Sequence, residues 1–210
     1  MTITLRPGST VMFTGDSITD GVRRESEDGL GFGYPSFVVD HWGRRHPDRP
    51  VTWLNTGNAG DGVRDLEARW RTDVLDARPD VVSVLVGVND LGLQALNPGG
   101  HATPVEEFEA GYDRLLAPLA EAGTELILIE PFLLPVHGVV EERARRDGLE
   151  PRIRAVRGLS RRYGASLLAA DGMFAELAAE TAPEHWAADG VHPTSAGHAA
   201  LAAAWLRLVA

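Results

Sequence analysis

Apolar residues recur along the chain in two rhythms. Five short stretches, at 10–14, 51–55, 81–87, 125–130 and 166–171, are nearly continuous in apolar and β-branched residues. Elsewhere apolar positions return every three or four residues, as on one face of a helix. The spacing predicts strands at the five runs and helices at 34–45, 63–77, 105–122, 141–163, 172–181 and 194–208. In the second of these helices Leu66, Trp70 and Val74 share one face. Val81-Val82-Ser83-Val84-Leu85-Val86 is almost wholly apolar, as befits a central strand covered on both sides. Helices between successive strands require crossovers, so the expected fold class is α/β, a parallel sheet wrapped on both faces. No repeat, low-complexity tract or linker interrupts the 210 residues, which read as one domain. The longest predicted loop, 91–103, is rich in Gly and Pro, and loops of that length often carry function.

Open parallel sheets bind ligands beyond the carboxyl ends of their strands, so the residues placed there carry the chemistry. The first run ends in Gly15-Asp16-Ser17-Ile18-Thr19, a serine on a strand-to-helix turn. The second runs into Asn55-Thr56-Gly57-Asn58-Ala59-Gly60-Asp61-Gly62, whose glycines let backbone N–H groups approach a ligand closely. The third ends in Gly87-Val88-Asn89-Asp90, and an asparagine amide at that edge is suited to a developing oxyanion. Near the far end, Asp189-Gly190-Val191-His192 sets an acid three residues before a histidine. Serine, histidine and aspartate are the parts of an activated nucleophile. They predict acyl transfer.

Composition narrows the partners. The net charge is −10 and no basic run tracks a phosphate backbone, which argues against nucleic acid. There are no cysteines, so thiolate catalysis, disulfides and Cys-based zinc sites are excluded. All 20 cationic side chains are arginine, which excludes a Schiff-base lysine and a phosphate-loop lysine. No apolar run approaches the ~20 residues that cross a bilayer, so no membrane partner is expected. Residues 1–8 lack the basic start and apolar core of a secretory signal, and cytoplasmic residence is the expectation.

Gly15-Asp16-Ser17, Gly60, Gly87-Val88-Asn89-Asp90 and Asp189-Gly190-Val191-His192 resemble, in order and over nearly the whole chain, the four motif blocks of the SGNH hydrolases, the GDSL esterase/lipase superfamily. The resemblance implies a flavodoxin-like three-layer α/β/α sandwich with a five-stranded parallel sheet. It implies Ser17 as nucleophile, His192 as general base and Asp189 as the group orienting it. The oxyanion hole would comprise the backbone N–H groups of Ser17 and Gly60 and the Asn89 side chain. Leu30-Gly31-Phe32-Gly33-Tyr34, Arg64-Asp65-Leu66, Glu130-Pro131-Phe132 and Val191-His192-Pro193 further resemble the serine acetylxylan esterases of that superfamily. That implies an acetylated oligosaccharide or other small ester as substrate, no metal or organic cofactor, and a possible homo-oligomer. An aromatic immediately before the catalytic Asp would complete the pattern. Here Ala188 stands in that position, and Trp186 lies three residues before Asp189. Asp16, Tyr34 and Trp186 are candidates for substrate contact.

Plainer roles compete at each position. Ser17 could only cap the following helix, Asp189 and His192 could form a local turn pair before Pro193, and Asn89 could only brace its turn. Gly57 and Gly62 read as backbone geometry, Asp16 and Asp90 as structural hydrogen-bonding partners, and His198 as a packing or surface residue. His41, His46, His101, His137 and His185 show no ligand spacing. The arginine-rich stretch 143–162 reads as a solvated helix face. Trp42, Trp53, Trp70, Trp186 and Trp205 include candidates for an interface or a sugar platform. Rival functions are hydrolysis of another ester (a lysophospholipid, a thioester or a short aliphatic ester), a catalytically silent sugar-binding module, and a phosphohydrolase whose Asp16, Asp20, Asp90 and Asp189 converge on a metal.

Overall fold

A computed structural model describes residues 2–93, 101–136 and 139–210. Parts of two predicted segments, 94–100 of the 91–103 loop and 137–138 with His137, lie outside the described residues. The five apolar runs form strands β1 (Thr10–Gly15), β2 (Thr52–Asn55), β3 (Val81–Leu85), β4 (Glu125–Ile129) and β5 (Ser166–Leu168). All pairings are parallel, in the order β2-β1-β3-β4-β5. Among the described residues the helices are α1 (Ser17–Asp20), α2 (Tyr34–Arg45), α3 (Val63–Trp70), α4 (Val105–Glu121), α5 (Val139–Tyr163), α6 (Ala170–Glu180), α7 (Pro183–Trp186) and α8 (Ser195–Leu206).

Strand alternation explains why the runs are apolar throughout. Val11, Phe13, Val81, Leu85, Ile127 and Ile129 point to one face of the sheet, where Val38 and Trp42 of α2, Phe174 of α6, and Leu201 and Trp205 of α8 cover them. Met12, Val82, Val84, Leu126 and Leu128 point to the other, under Leu66 and Trp70 of α3, Phe108, Tyr112 and Leu115 of α4, and Val156 and Leu159 of α5. The result is three layers, α/β/α. Each fully buried Leu, Val or Phe contributes about 1.5–3 kcal/mol.

Four of the five tryptophans serve this core or its edge. Trp42, Trp70 and Trp205 are buried. Trp53 stacks on Phe13 at 5.9 Å between centroids. Differences from the predicted bounds are local. β5 stops at Leu168 because α6 begins at Ala170, and α3 gives way at Arg71–Leu75 to a wider π-helical turn. The short helices α1 and α7 have too few residues to show a period.

The order 2-1-3-4-5 reverses direction between β1 and β3, and in such sheets ligands bind beyond the carboxyl ends of the strands at that point. β1 and β3 pair there from Val11↔Val81 through Gly15↔Leu85. At Gly15 (φ 143°) a Cβ would lie 1.9 Å from the Leu85 carbonyl oxygen, so only glycine allows the two strands to meet at this turn.

Candidate active site

Ser17 stands at the first position of α1, directly beyond β1. The helix cap is supplied by its neighbour: Asp16 Oδ1 accepts from the Ile18 N–H at 3.0 Å. The rival reading of Ser17 as only a helix cap is therefore not met, since Asp16 takes that place. Its hydroxyl lies instead 2.9 Å from His192 Nε2. His192 comes from the loop between α7 and α8, and its Nδ1 lies 2.6 Å from Asp189 Oδ2. The other carboxylate oxygen of Asp189 accepts from the backbone N–H of Val191 (2.9 Å) and of His192 (2.7 Å). Gly190, with φ 81°, closes this turn, and a Cβ there would lie 2.6 Å from the Leu134 carbonyl oxygen.

Charge fixes the direction of the relay. Burial pushes the Asp189 carboxyl up, but hydrogen bonds from the His192 side chain and from the His192 and Val191 backbone outweigh it, and the carboxyl sits below its ordinary value. An ionised carboxylate only accepts, so Nδ1 carries the ring proton and Nε2 is left to accept from the Ser17 hydroxyl. His198, six residues further on in α8, is separate from this relay. Its Nδ1 accepts from the Tyr34 N–H at 3.1 Å. Burial, with the nearby His192, pushes it down to about 4, so it packs as a neutral ring.

Two further strand ends complete the site. Gly60 lies in the turn after β2 with φ 87°. Asn89 follows β3, and its Nδ2 donates to the Asp61 carbonyl at 3.0 Å, using one of its two N–H groups. The Asp90 carboxylate is engaged in structure, accepting from the Val63 N–H at 3.1 Å. Ser17, Gly60 and Asn89 thus come from three adjacent strand ends.

The three candidate substrate contacts fare differently. Tyr34 is fully buried, with its hydroxyl 3.3 Å from that of Thr19, and it packs edge-on against Phe13 at 5.6 Å. Asp16 is 1% exposed. Its Oδ2 has no hydrogen-bond partner among the described residues, and burial, with Asp90 and Asp61 nearby, pushes the carboxyl up to about 7. Neither presents a surface to substrate. Trp186 is half-buried beside the Asp189 loop, and its carbonyl accepts from the Thr194 N–H at 2.9 Å.

Several residues escaped the sequence reading. Arg152, from the stretch expected to be solvated, is 5% exposed and donates to the Asp90 carbonyl at 2.8 Å and to the Thr103 carbonyl. Arg157 in the same stretch pairs at 2.6 Å with Glu130, which is fully buried at the end of β4. A buried acid such as Glu130 needs a cation, and the shielded Asp90 and Thr103 carbonyls take a further donor; that need was the missed signal. The carboxylates of the phosphohydrolase rival are dispersed onto separate partners: Asp16 on Ile18, Asp20 beside Arg23, Asp90 on Val63, Asp189 on His192. No group of three or more His, Asp or Glu among the described residues is arranged to hold a metal ion. No described helix is long and apolar enough to cross a membrane.

The comparison with known proteins decides the family. The model of the GDSL-like Lipase/Acylhydrolase family matches residues 13–200. The chain belongs to this family. It is an ester hydrolase of the serine type. It is 33% identical over 207 residues to an acetylxylan esterase of Geobacillus stearothermophilus, covering 95% of this chain and 93% of that protein. The solved acetylxylan esterase Axe2 from Geobacillus stearothermophilus superposes with a TM-score of 0.85 at 32% identity, over 97% of this chain and 94% of that one. LAE5, an alpha/beta hydrolase enzyme from the metagenome of Lake Arreo, gives 0.86 at 31% identity, over 97% and 95%. Two solved Axe2 variants, one with a serine and one with a histidine replaced by alanine, are catalytic mutants.

Proposed function

We propose that this GDSL-family esterase removes acetyl groups from carbohydrate, with xylo-oligosaccharides as the best-supported substrate class. The observation that carries the mechanism is the continuous relay from Ser17 Oγ through His192 to Asp189, at 2.9 and 2.6 Å. Likeness along almost the full chain to acetylxylan esterase supports the choice of ester.

Ser17 attacks the ester carbonyl as His192 Nε2 takes its proton, and Asp189 stabilises the imidazolium that forms. The carbonyl oxygen becomes an oxyanion facing the Ser17 and Gly60 N–H groups and the Asn89 amide. Collapse expels the sugar hydroxyl with the proton from His192 and leaves acetyl on Ser17. Water, giving a proton to the same imidazole, then attacks the acetyl-enzyme; the bond to Ser17 Oγ breaks, Oγ takes that proton back, and acetate is released. The residues present perform every step without a cofactor.

The test is acetate release from acetylated xylo-oligosaccharides beside nitrophenyl esters of rising acyl length, with Ser17→Ala as control. Fast Ser17-dependent release from the oligosaccharide, and acetyl preferred over octanoyl, is expected. A rate that climbs with acyl length, or an oligosaccharide left intact, contradicts the assignment.

A further inference from the structure

We propose that Arg69 is the positioning residue that holds the oxyanion side of the site in register with the nucleophile turn; this rests on the roles assigned above to Ser17, Gly60 and Asn89. Arg69 lies in the last turn of α3, mostly shielded from solvent, with 19% of its side chain exposed. Its guanidinium reaches separate parts of the site. Nε donates to Asp61 Oδ2 at 2.7 Å, and Nη1 to the Thr56 carbonyl at 2.7 Å. Nη2 donates to the Gly15 carbonyl at 3.4 Å. Nη1 also meets Asp73 Oδ2 at 2.8 Å, one turn along the helix, which steadies the fork from behind.

Each partner adjoins a reacting group. Gly15 stands two residues before Ser17, and its carbonyl also accepts from the Asn58 N–H at 3.0 Å. Thr56 opens the loop that carries Gly60. Asp61 follows Gly60, and its carbonyl holds the Asn89 amide at 3.0 Å. One cation therefore ties the strand end that delivers the nucleophile to the loop that carries Gly60 and, through the Asp61 carbonyl, holds the Asn89 amide.

The chemistry explains why such a tie is needed. Donors stabilise an oxyanion only if they are fixed before the charge appears. The loop contains Gly57, Gly60 and Gly62, whose backbones are intrinsically permissive. Misplacement of a reacting geometry by about 1 Å costs about 10²-fold in rate. Asp61 is 6% exposed, so its bond to Arg69 is a shielded, charge-assisted one. A lysine in this place would supply one charge but not a fork that spans carboxylate and carbonyls.

The experiment compares Arg69→Met, Arg69→Lys and Asp61→Asn with the wild-type chain on nitrophenyl acetate, with thermal melts to report folding. Arg69→Met is expected to lower kcat by about 10²-fold while KM moves by less than about threefold. The midpoint of its pH–rate profile stays in place because the Ser17–His192–Asp189 relay is untouched. Affinity for a boronic acid, which forms a tetrahedral adduct on a serine nucleophile, should fall in parallel with kcat. Arg69→Lys should recover part of the loss, and Asp61→Asn, which keeps the shape and drops the charge, should lose about tenfold. A folded Arg69→Met with kcat within about threefold of wild type overturns the inference, as does a loss that only tracks the unfolded fraction. If Arg69→Met does not fold, a folded Asp61→Asn with unchanged kcat overturns it instead. Turnover lost in Ser17→Ala but kept in Arg69→Met refutes the role of Arg69 alone. Turnover that survives Ser17→Ala refutes the assignment beneath it.

Discussion

The two sides of the candidate site are built by opposite means. On the proton-transfer side, Asp189 and His192 are three residues apart, and every bond between them closes within one turn. Their side chains are 43% and 46% exposed. On the oxyanion side, the turn between β2 and α3 is held from a distance. Arg69 reaches Thr56 and Gly15, Arg23 Nε donates to the Gly57 carbonyl at 2.7 Å, and Asn89 reaches Asp61. A histidine must exchange protons and let an alcohol leave, so an open local turn suits it. Oxyanion donors must not move when charge develops, and rigidity there comes from many tertiary bonds.

The contrast can be broken from either side. The largest loss is expected for His192→Ala, at least about 10⁴-fold in kcat, because Ser17 then lacks its base. Because that position is exposed, added imidazole should restore part of the rate in proportion to its concentration. Absence of any rescue would contradict the open-loop reading. Asn89→Ala comes next, at about 10²–10³-fold in kcat with KM little changed. A loss confined to KM would place Asn89 in ground-state binding instead.

The smallest effect lies beneath the nucleophile and concerns stability. Burial pushes the Asp16 carboxyl from 3.8 up to about 7, with Asp90 and Asp61 adding to the shift. The folded state therefore favours the protonated acid. Its contribution is fully present below about 4 and is lost as pH rises through about 7. Asp16→Asn keeps an oxygen for the Ile18 N–H and cannot ionise. It should match wild type in Tm near pH 4 and exceed it above pH 7 by on the order of 10 °C. A difference that does not vary with pH would show that Asp16 stays charged or neutral throughout.

The same contrast explains what could be read before the structure. The five strands and the longer helices follow from local periodicity. The Asp189–His192 turn follows from a three-residue spacing, and Ser17 from its place after an apolar run. The oxyanion clamp does not. Arg69 is bonded to residues 13 and 54 positions away, and nothing in a charged helix face marks one arginine as turned inward. Arg152 escaped for the same reason, since its partner carbonyl at Asp90 lies 62 positions away. Tyr34 read as a substrate contact because its motif sits near the site, yet its ring fills the core beside Phe13. Sequence reveals groups whose chemistry is local; cations that neutralise buried strand ends become visible only when distant segments meet.

The mechanism requires Ser17 to carry the acyl group during turnover. It is tested most directly by rapid acid quench of the enzyme during hydrolysis of an acetyl ester, followed by peptide mass analysis. One acetyl group is expected on the peptide containing Ser17, accumulating under turnover and absent in Ser17→Ala. Acetyl found on another residue, or full hydrolytic activity in Ser17→Ala, would contradict it.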